Sequence, residues 1–225
     1  ECLQTPGATL YRDQIVDALR GHEADYIEIR LEESEASGIQ YRGRELEDLT
    51  RSTSLGGSAR ALVKGGWGFI SFNDMSNLGD KVGLAVKQAR LVGKDVSRFA
   101  PMAPIVDFVE AVVEKDPSSL PLAEKKRLLD EYNEVIWSTP KIETSMVGYS
   151  DRWRRVIFAN SEGSYIEQKN ADLSLRIVAV ARDGGDVQQA GLSVGSRGNF
   201  TQIEGLHQKV REIAQRAVEL LAAPQ

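Results

Sequence analysis

The sequence predicts an α+β fold of two lobes with similar topology, each mostly an antiparallel sheet flanked by helices. Three observations carry that expectation. Alternating runs such as Tyr26-Ile27-Glu28-Ile29-Arg30-Leu31-Glu32 read as strands with one buried and one wet face. Apolar residues recur at helical spacing near both ends of each half of the chain. The order helix, strands, helix also occurs twice, on either side of a proline-rich stretch.

The first half starts with a helix from Tyr11 to Arg20, which puts Tyr11, Ile15, Ala18 and Leu19 on one face before Gly21 ends it. The strand at 26–32 follows, and residues 39–43 and 45–53 read as two more, joined near Gly43. Strands 58–64 and 67–72 form a hairpin around Gly65-Gly66, a pair in which both residues can take positive φ. Trp67, Phe69 and Ile70 mark its second strand, which ends at Asn73-Asp74. A helix then carries Leu78, Val82, Ala85, Val86 and Ala89.

From Asp95 to Pro121 the pattern fails at Pro101, Pro104, Pro117 and Pro121, and only Ile105 to Val113 could be extended. The expected division is a first lobe at 1–95, a linker at 96–120 and a second lobe at 121–225. The second lobe opens with a helix bearing Leu122, Leu128, Leu129, Tyr132 and Ile136, with Pro121 suited to its first turn. Strands follow at 143–150, 153–159, 164–169, 172–182 and 187–194. Asn160-Ser161-Glu162-Gly163 and Asp183-Gly184-Gly185-Asp186 supply turn chemistry, the latter where Gly65-Gly66 stands in the first half. The last helix aligns Ile203, Leu206, Val210, Ile213, Ala214, Ala217, Val218 and Leu221, and Thr201 and Glu204 have capping-box spacing. Both halves thus read helix, five strands, helix.

Composition narrows the function. A chain of 225 residues, 41% hydrophobic and 27% charged, has the balance of a soluble folded protein. No apolar run approaches the roughly 20 residues of a membrane-spanning helix. Glu1-Cys2-Leu3-Gln4-Thr5-Pro6 lacks the basic start and apolar core of a signal peptide, and no initiator Met is present. A cytoplasmic protein, processed or partial, is the simplest expectation. The net charge of −5 disfavours nucleic acid. One basic cluster, Arg152, Arg154 and Arg155 around Trp153, could stack on bases and equally fits an exposed sheet face. Cys2 is the only cysteine, which rules out an internal disulfide and a cysteine-based metal cluster. Asn199-Phe200-Thr201 fits a glycosylation sequon that has little meaning without a secretion signal.

Catalytic patterns are sparse. A metalloprotease needs imidazoles for the metal and a carboxylate for its water. His22 has no second histidine one turn on, and His207 has Arg211 there, so surface histidines are the expectation unless the two pair in space. Gly191-Leu192-Ser193-Val194-Gly195 has the spacing of a nucleophile elbow, but it alternates as a strand and no helix follows directly. Gly65-Gly66-Trp67-Gly68 joins two strands and offers no helix N-terminus to a phosphate. The acids in Glu32-Glu33-Ser34-Glu35 and Glu45-Leu46-Glu47-Asp48 read as solvated faces and turns before they read as a glycosidase pair.

Several stretches in order resemble the N-terminal region of the TldD/PmbA family of metalloproteases, also named for modulation of DNA gyrase. They are Ala24 to Glu33, Arg42-Gly43-Arg44-Glu45-Leu46-Glu47, the Gly66-Trp67-Gly68-Phe69 hairpin, Leu120 to Lys126, Ala159 to Gly163, the Asp183-Gly184-Gly185 turn and Arg216 to Pro224. The resemblance implies a zinc-dependent peptidase of unstructured peptides that works as a homodimer or as a heterodimer with a family paralogue. The family's metal helix, His-Glu-x-x-x-His, is absent from this chain, so no catalytic or metal residue transfers and no cofactor is expected here. The chain is expected to be the non-catalytic N-terminal part of a TldD-like enzyme, shaping the substrate chamber and assembly. The alternative is a metal-free PmbA/TldE-like partner or scaffold that binds peptide without cleaving it. Trp67, Gly68 and Phe69 are the candidate substrate contacts, set against the expectation that Trp67 and Phe69 are simply core aromatics.

Overall fold

Alternation and helical spacing both become real elements, in strands longer than the sequence suggests. The computed structural model describes residues 6–97 and 99–223. Cys2 and Pro224, singled out above, lie outside the described residues. The order is α1 (Pro6–Arg20), β1 (Tyr26–Arg42), β2 (Glu45–Val63), β3 (Gly66–Phe72), α2 (Leu78–Val92), β4 (Val106–Val109), α3 (Leu122–Trp137), β5 (Ile142–Asn160), β6 (Tyr165–Asp183), β7 (Asp186–Ser196) and α4 (His207–Leu220). Short 3-10 turns at Pro117–Ser119 and Phe200–Ile203 precede α3 and α4. The class is α+β.

Five expected strands in each half are three. The runs expected at 26–32 and 39–43 merge into one strand that ends at Arg42, those at 45–53 and 58–64 into one that ends at Val63, those at 143–150 and 153–159 into β5, and those at 164–169 and 172–182 into one that starts at Tyr165. The polar stretches between them, such as Ser34 to Gly38, break the alternation but not the extended backbone. β1, β5 and β6 each have strands on both sides, and ladder hydrogen bonds hold the chain extended whatever the side chains are. The repeat survives in shorter form: each half reads helix, three strands, helix.

The chain forms two compact units, and each gathers three stretches of sequence. The first comprises residues up to Ser34, Ser54–Glu110 and Arg155–Lys169; the second comprises Glu35–Thr53, Ala111–Arg154 and Asn170–Gln225. In the first unit the strand order is β3-β2-β1-β5-β6-β4, with β4 parallel to β6. The segment expected as a linker supplies β4 within its extended run. Ile15 of α1, Val82, Ala85 and Ala89 of α2, and Ile27, Ile29 and Leu31 of β1 share one core. Burying each of the larger side chains contributes about 1.5–3 kcal/mol. All five positions expected to face inward on α2 are buried.

In the second unit the order is β2-β1-β5-β6-β7, with β6 and β7 antiparallel from Leu173↔Ser196 to Asp183↔Asp186. Leu129, Tyr132 and Ile136 of α3 and Val210, Ala214 and Ala217 of α4 pack on Leu175, Ile177 and Phe200. A polar knot lies inside this unit. Lys125 Nζ reaches Asp151 Oδ2 at 2.6 Å and Ser37 Oγ at 2.8 Å, and the Tyr149 hydroxyl donates to Asp151 at 2.5 Å. Lys125 and Asp151 side chains are each 4% exposed. Burial, followed by the bond to Asp151, drives the Tyr149 phenol upward.

Two local expectations change. The two-residue hairpin loop is Lys64-Gly65, with φ of 46° and 76°, not Gly65-Gly66, because Val63 pairs with Gly66. Both loop residues need positive φ for a tight hairpin, and Lys64 accepts it. The capping box at Thr201 and Glu204 does not form. Gly205 at φ 68° ends the 3-10 turn, the Asn199 side chain accepts from the Thr201 N–H, and α4 starts only at His207. Ile203 stays buried, and its carbonyl accepts the Tyr132 hydroxyl.

A Cβ at Gly68 would collide with the Ala85 carbonyl oxygen of α2. Gly68→Ala is expected to cost at least about 1–3 kcal/mol in urea unfolding. Gly195→Ala, in β7 with open space around it, should stay within about 0.5 kcal/mol. Lys125→Met leaves the Asp151 carboxylate buried and unpaired and should cost about 3–5 kcal/mol. Lys125→Met combined with Asp151→Leu should recover most of that loss in the same assay.

Candidate functional site

Period two along β3 decides which of its residues meet solvent. Gly66, Gly68 and Phe72 face α2, so Trp67 and Phe69 face outward. They are 43% and 55% exposed, which corrects the expectation of core aromatics. The reason is the glycines. A side chain at 66 would meet the backbone of Ala89 and Gly93, and one at 68 that of Ala85, so the inward face is backbone against backbone.

β3 is also the terminal strand of its sheet. Because Val63 and Gly66 close a two-residue turn, alternate pairs turn the peptide groups of Gly66, Gly68 and Ile70 toward β2. Those of Trp67, Phe69 and Ser71 point to the outer edge, where the Phe69 N–H donates to Gln88 Oε1 at 3.1 Å. Trp67, Gly68 and Phe69 therefore supply side chains to the outer face and main chain to an edge.

The outer face beside Trp67 holds a group of residues that sequence reasoning missed. Tyr26, Trp67 and Phe99 form a ring cluster with centroids 4.8 Å (Tyr26–Phe99), 5.9 Å (Trp67–Phe99) and 6.3 Å (Tyr26–Trp67) apart. Beneath it Glu28, expected on a wet face, is 4% exposed. Its Oε1 accepts Arg60 at 2.7 Å and Arg30 at 3.3 Å, and its Oε2 accepts the Tyr26 hydroxyl at 2.9 Å. The Arg60 guanidinium lies 5.1 Å from the Trp67 ring and that of Arg30 5.2 Å from Phe158. The signal was Tyr26-x-Glu28-x-Arg30, an aromatic and two opposite charges on one strand face. A cavity of about 470 Å³ opens here, lined also by Phe158, Met102, Ile105 and Ile166. Burial pushes the Tyr26 phenol up to about 12.

The other sequence candidates are engaged elsewhere. His22 Nε2 lies 2.7 Å from the Gly79 carbonyl, and His207 Nε2 lies 3.0 Å from Glu131. Among the described residues no group of three or more His, Cys, Asp or Glu could hold a metal ion. Ser193 sits inside β7 with no helix behind it. Arg155 of the basic cluster is buried, bonded to Glu167 at 2.8 Å and Glu33 at 3.2 Å, so its guanidinium is committed to carboxylates. Residues 45–54 are exposed, as expected of the solvated Glu45 to Asp48 acids. No helix among the described residues is long and apolar enough to cross a membrane.

Burial alone would raise the carboxyl of Glu28, but bonds from Arg60 and Tyr26 and the charges of Arg60 and Arg30 outweigh it and hold it below its ordinary 4.5. A depressed carboxyl stabilises the fold above its unfolded value and loses that contribution as pH falls through the folded value. Glu28→Gln should thus destabilise the protein at neutral pH. The difference from the unsubstituted chain should shrink as pH falls below the ordinary 4.5 and through the lower folded value, measured by urea unfolding across pH.

Comparison with known proteins agrees with this architecture. Residues 27–91 match the PmbA/TldA metallopeptidase domain 1, and residues 115–222 match the PmbA/TldA metallopeptidase central domain. Metalloprotease slr0863 of Synechocystis sp. is 41% identical over 204 residues, which is 90% of this chain and 44% of that protein. A metalloprotease of Methanothermobacter thermautotrophicus is 31% identical over 201 residues, 88% of this chain and again 44% of that protein. The chain thus spans under half the length of these relatives. Among solved structures, a Thermotoga maritima protein named for modulation of a DNA gyrase superposes with a TM-score of 0.75 at 15% identity, over 97% of this chain and 49% of that one. TldE of Thermococcus kodakarensis gives 0.61 at 15% identity, over 92% and 47%. At these identities the two structures speak for the fold alone. With both domains matched in order across most of its length, this chain belongs to the PmbA/TldD metallopeptidase family.

Proposed function

We propose that this chain is the non-catalytic, substrate-holding part of a TldD-like zinc-dependent peptidase that degrades or processes unstructured peptides. The observation that supports the reading most is the terminal strand β3, with edge-facing peptide groups at Trp67 and Ser71, the Phe69 N–H already held by Gln88, and exposed rings at Trp67 and Phe69. An extended peptide added to that edge would gain main-chain hydrogen bonds indifferent to sequence, which suits unfolded substrates. Zinc and the His-Glu-x-x-x-His helix would lie outside these 225 residues. The assembly would be a homodimer or a heterodimer with a family paralogue, in the cytoplasm.

A second reading is a metal-free partner or scaffold subunit that binds peptide without cleaving it. The terminal edge of β3 and the exposed rings of Trp67 and Phe69 would serve such a subunit equally well. The coding sequence beyond this chain separates the two: a His-Glu-x-x-x-His helix supports the first, and its absence supports the second.

With zinc and an unfolded peptide, this chain is expected to bind the peptide and leave it intact. Binding should slow hydrogen exchange at the Trp67 and Ser71 amides. Trp67→Ala and Phe69→Ala should each weaken binding about tenfold, since an anchoring aromatic at a contact carries roughly 1–2 kcal/mol. Chelator-sensitive cleavage by this chain would contradict the non-catalytic assignment, and unprotected β3 amides in the complex would contradict the edge.

A further inference from the structure

The cavity beside Trp67 has a chemistry of its own. Its walls are aromatic and aliphatic, from Tyr26, Trp67, Phe99, Phe158 and Ile166. Its polar floor is already satisfied: both Glu28 oxygens accept donors from within the unit, and Asn160 Oδ1 accepts the Glu162 and Ser164 amides. A charged ligand group on that floor would have to compete with the Glu28–Arg60 pair, and the one other carboxylate lining the cavity, Glu162, is exposed to water. An apolar ring would break nothing. At about 470 Å³ the space falls within the roughly 300–1,000 Å³ of ordinary ligand pockets.

The protein demonstrates the fit with one of its own rings. Phe99 arrives on a stretch without regular structure and stacks edge-on to Tyr26 at 4.8 Å and an interplanar angle of 71°. It remains 48% exposed. A phenyl ring carried by an irregular backbone is therefore accommodated on this face, and the cavity leaves room beside it.

We infer that this cavity is a side-chain subsite that takes an aromatic residue of the bound peptide, stacking it against Phe158 and the Tyr26–Trp67–Phe99 cluster. The inference rests on the strand-addition reading above: a peptide leaving the β3 edge beside Trp67, which borders both, crosses the outer face toward Phe158 on β5, three strands in from that edge. It adds a preference that main-chain pairing cannot supply. Edge-to-face rings and burial of the ligand's apolar area provide the selectivity.

The test uses the intact chain and three probes: an unstructured peptide with one phenylalanine, the same peptide with alanine there, and N-acetylphenylalanine amide. Affinity is read from methyl shifts of Ile105, Ile166 and Met102. The phenylalanine peptide is expected to bind about ten- to hundredfold tighter than the alanine peptide, the range for burying one such side chain. Ala103→Trp, at an exposed position on the cavity wall, should fill the space and abolish that difference while leaving the alanine peptide's affinity unchanged. Equal affinity for both peptides overturns the subsite and leaves the edge standing. If neither peptide binds, the edge reading fails, and N-acetylphenylalanine amide decides the subsite alone: shifts at these methyls that Ala103→Trp removes support it, and their absence overturns it.

Discussion

Contact between the backbones of α2 and β3 governs the first unit. Glycines at 66 and 68 remove the side chains that would hold helix and strand apart, and Gly93 continues the contact at the carbonyl of Val63. Interiors pack at nearly constant density, so a missing Cβ on one side lets the helix come closer instead of leaving a void. Everything distinctive about the outer face follows from that. With the inward positions of β3 spent on glycine, its aromatic content at 67 and 69 falls on the solvent side. The strand stays at the end of the sheet with its edge groups turned outward.

The two units handle buried polarity alike. Glu28 with Arg60 and Arg30, Arg155 with Glu167 and Glu33, and Lys125 with Asp151, Ser37 and Tyr149 are each closed sets of donors and acceptors within one unit. Groups sealed in this way resist replacement one at a time, since losing a partner strands a charge out of water. Such sets tie residues from different strands and helices together, with each buried charge held by an opposite charge. The ring-lined space above Glu28 differs because its walls are apolar and partly wet.

Membership in a metallopeptidase family is compatible with finding no metal-holding group among the described residues, since the chain matches less than half of its relatives' length. What this part offers is shape: long strands, a terminal edge and an aromatic face. Holding an extended chain and activating water place opposite demands on a protein. The first asks for generic main-chain donors and apolar surface, and the second for a rigid cluster of ligands. Assigning the two tasks to different parts of one longer protein would satisfy both.

The sequence by itself determined the helix faces, the class and the family resemblance. Leu78, Val82, Ala85, Val86 and Ala89 are buried as their spacing requires, since a helix has one apolar stripe wherever it packs. Strand number was not legible, because polar interruptions at Ser34 to Gly38 or at Asp151-Arg152 look like ends, and only neighbouring strands keep the backbone extended there. The loop at Lys64-Gly65 depended on a register that local residues leave ambiguous by one position. Burial of Glu28 and exposure of Trp67 and Phe69 were decided only by tertiary structure. The first needed Arg60 from a strand over thirty positions away, and the second needed the backbone of α2 pressed against two glycines.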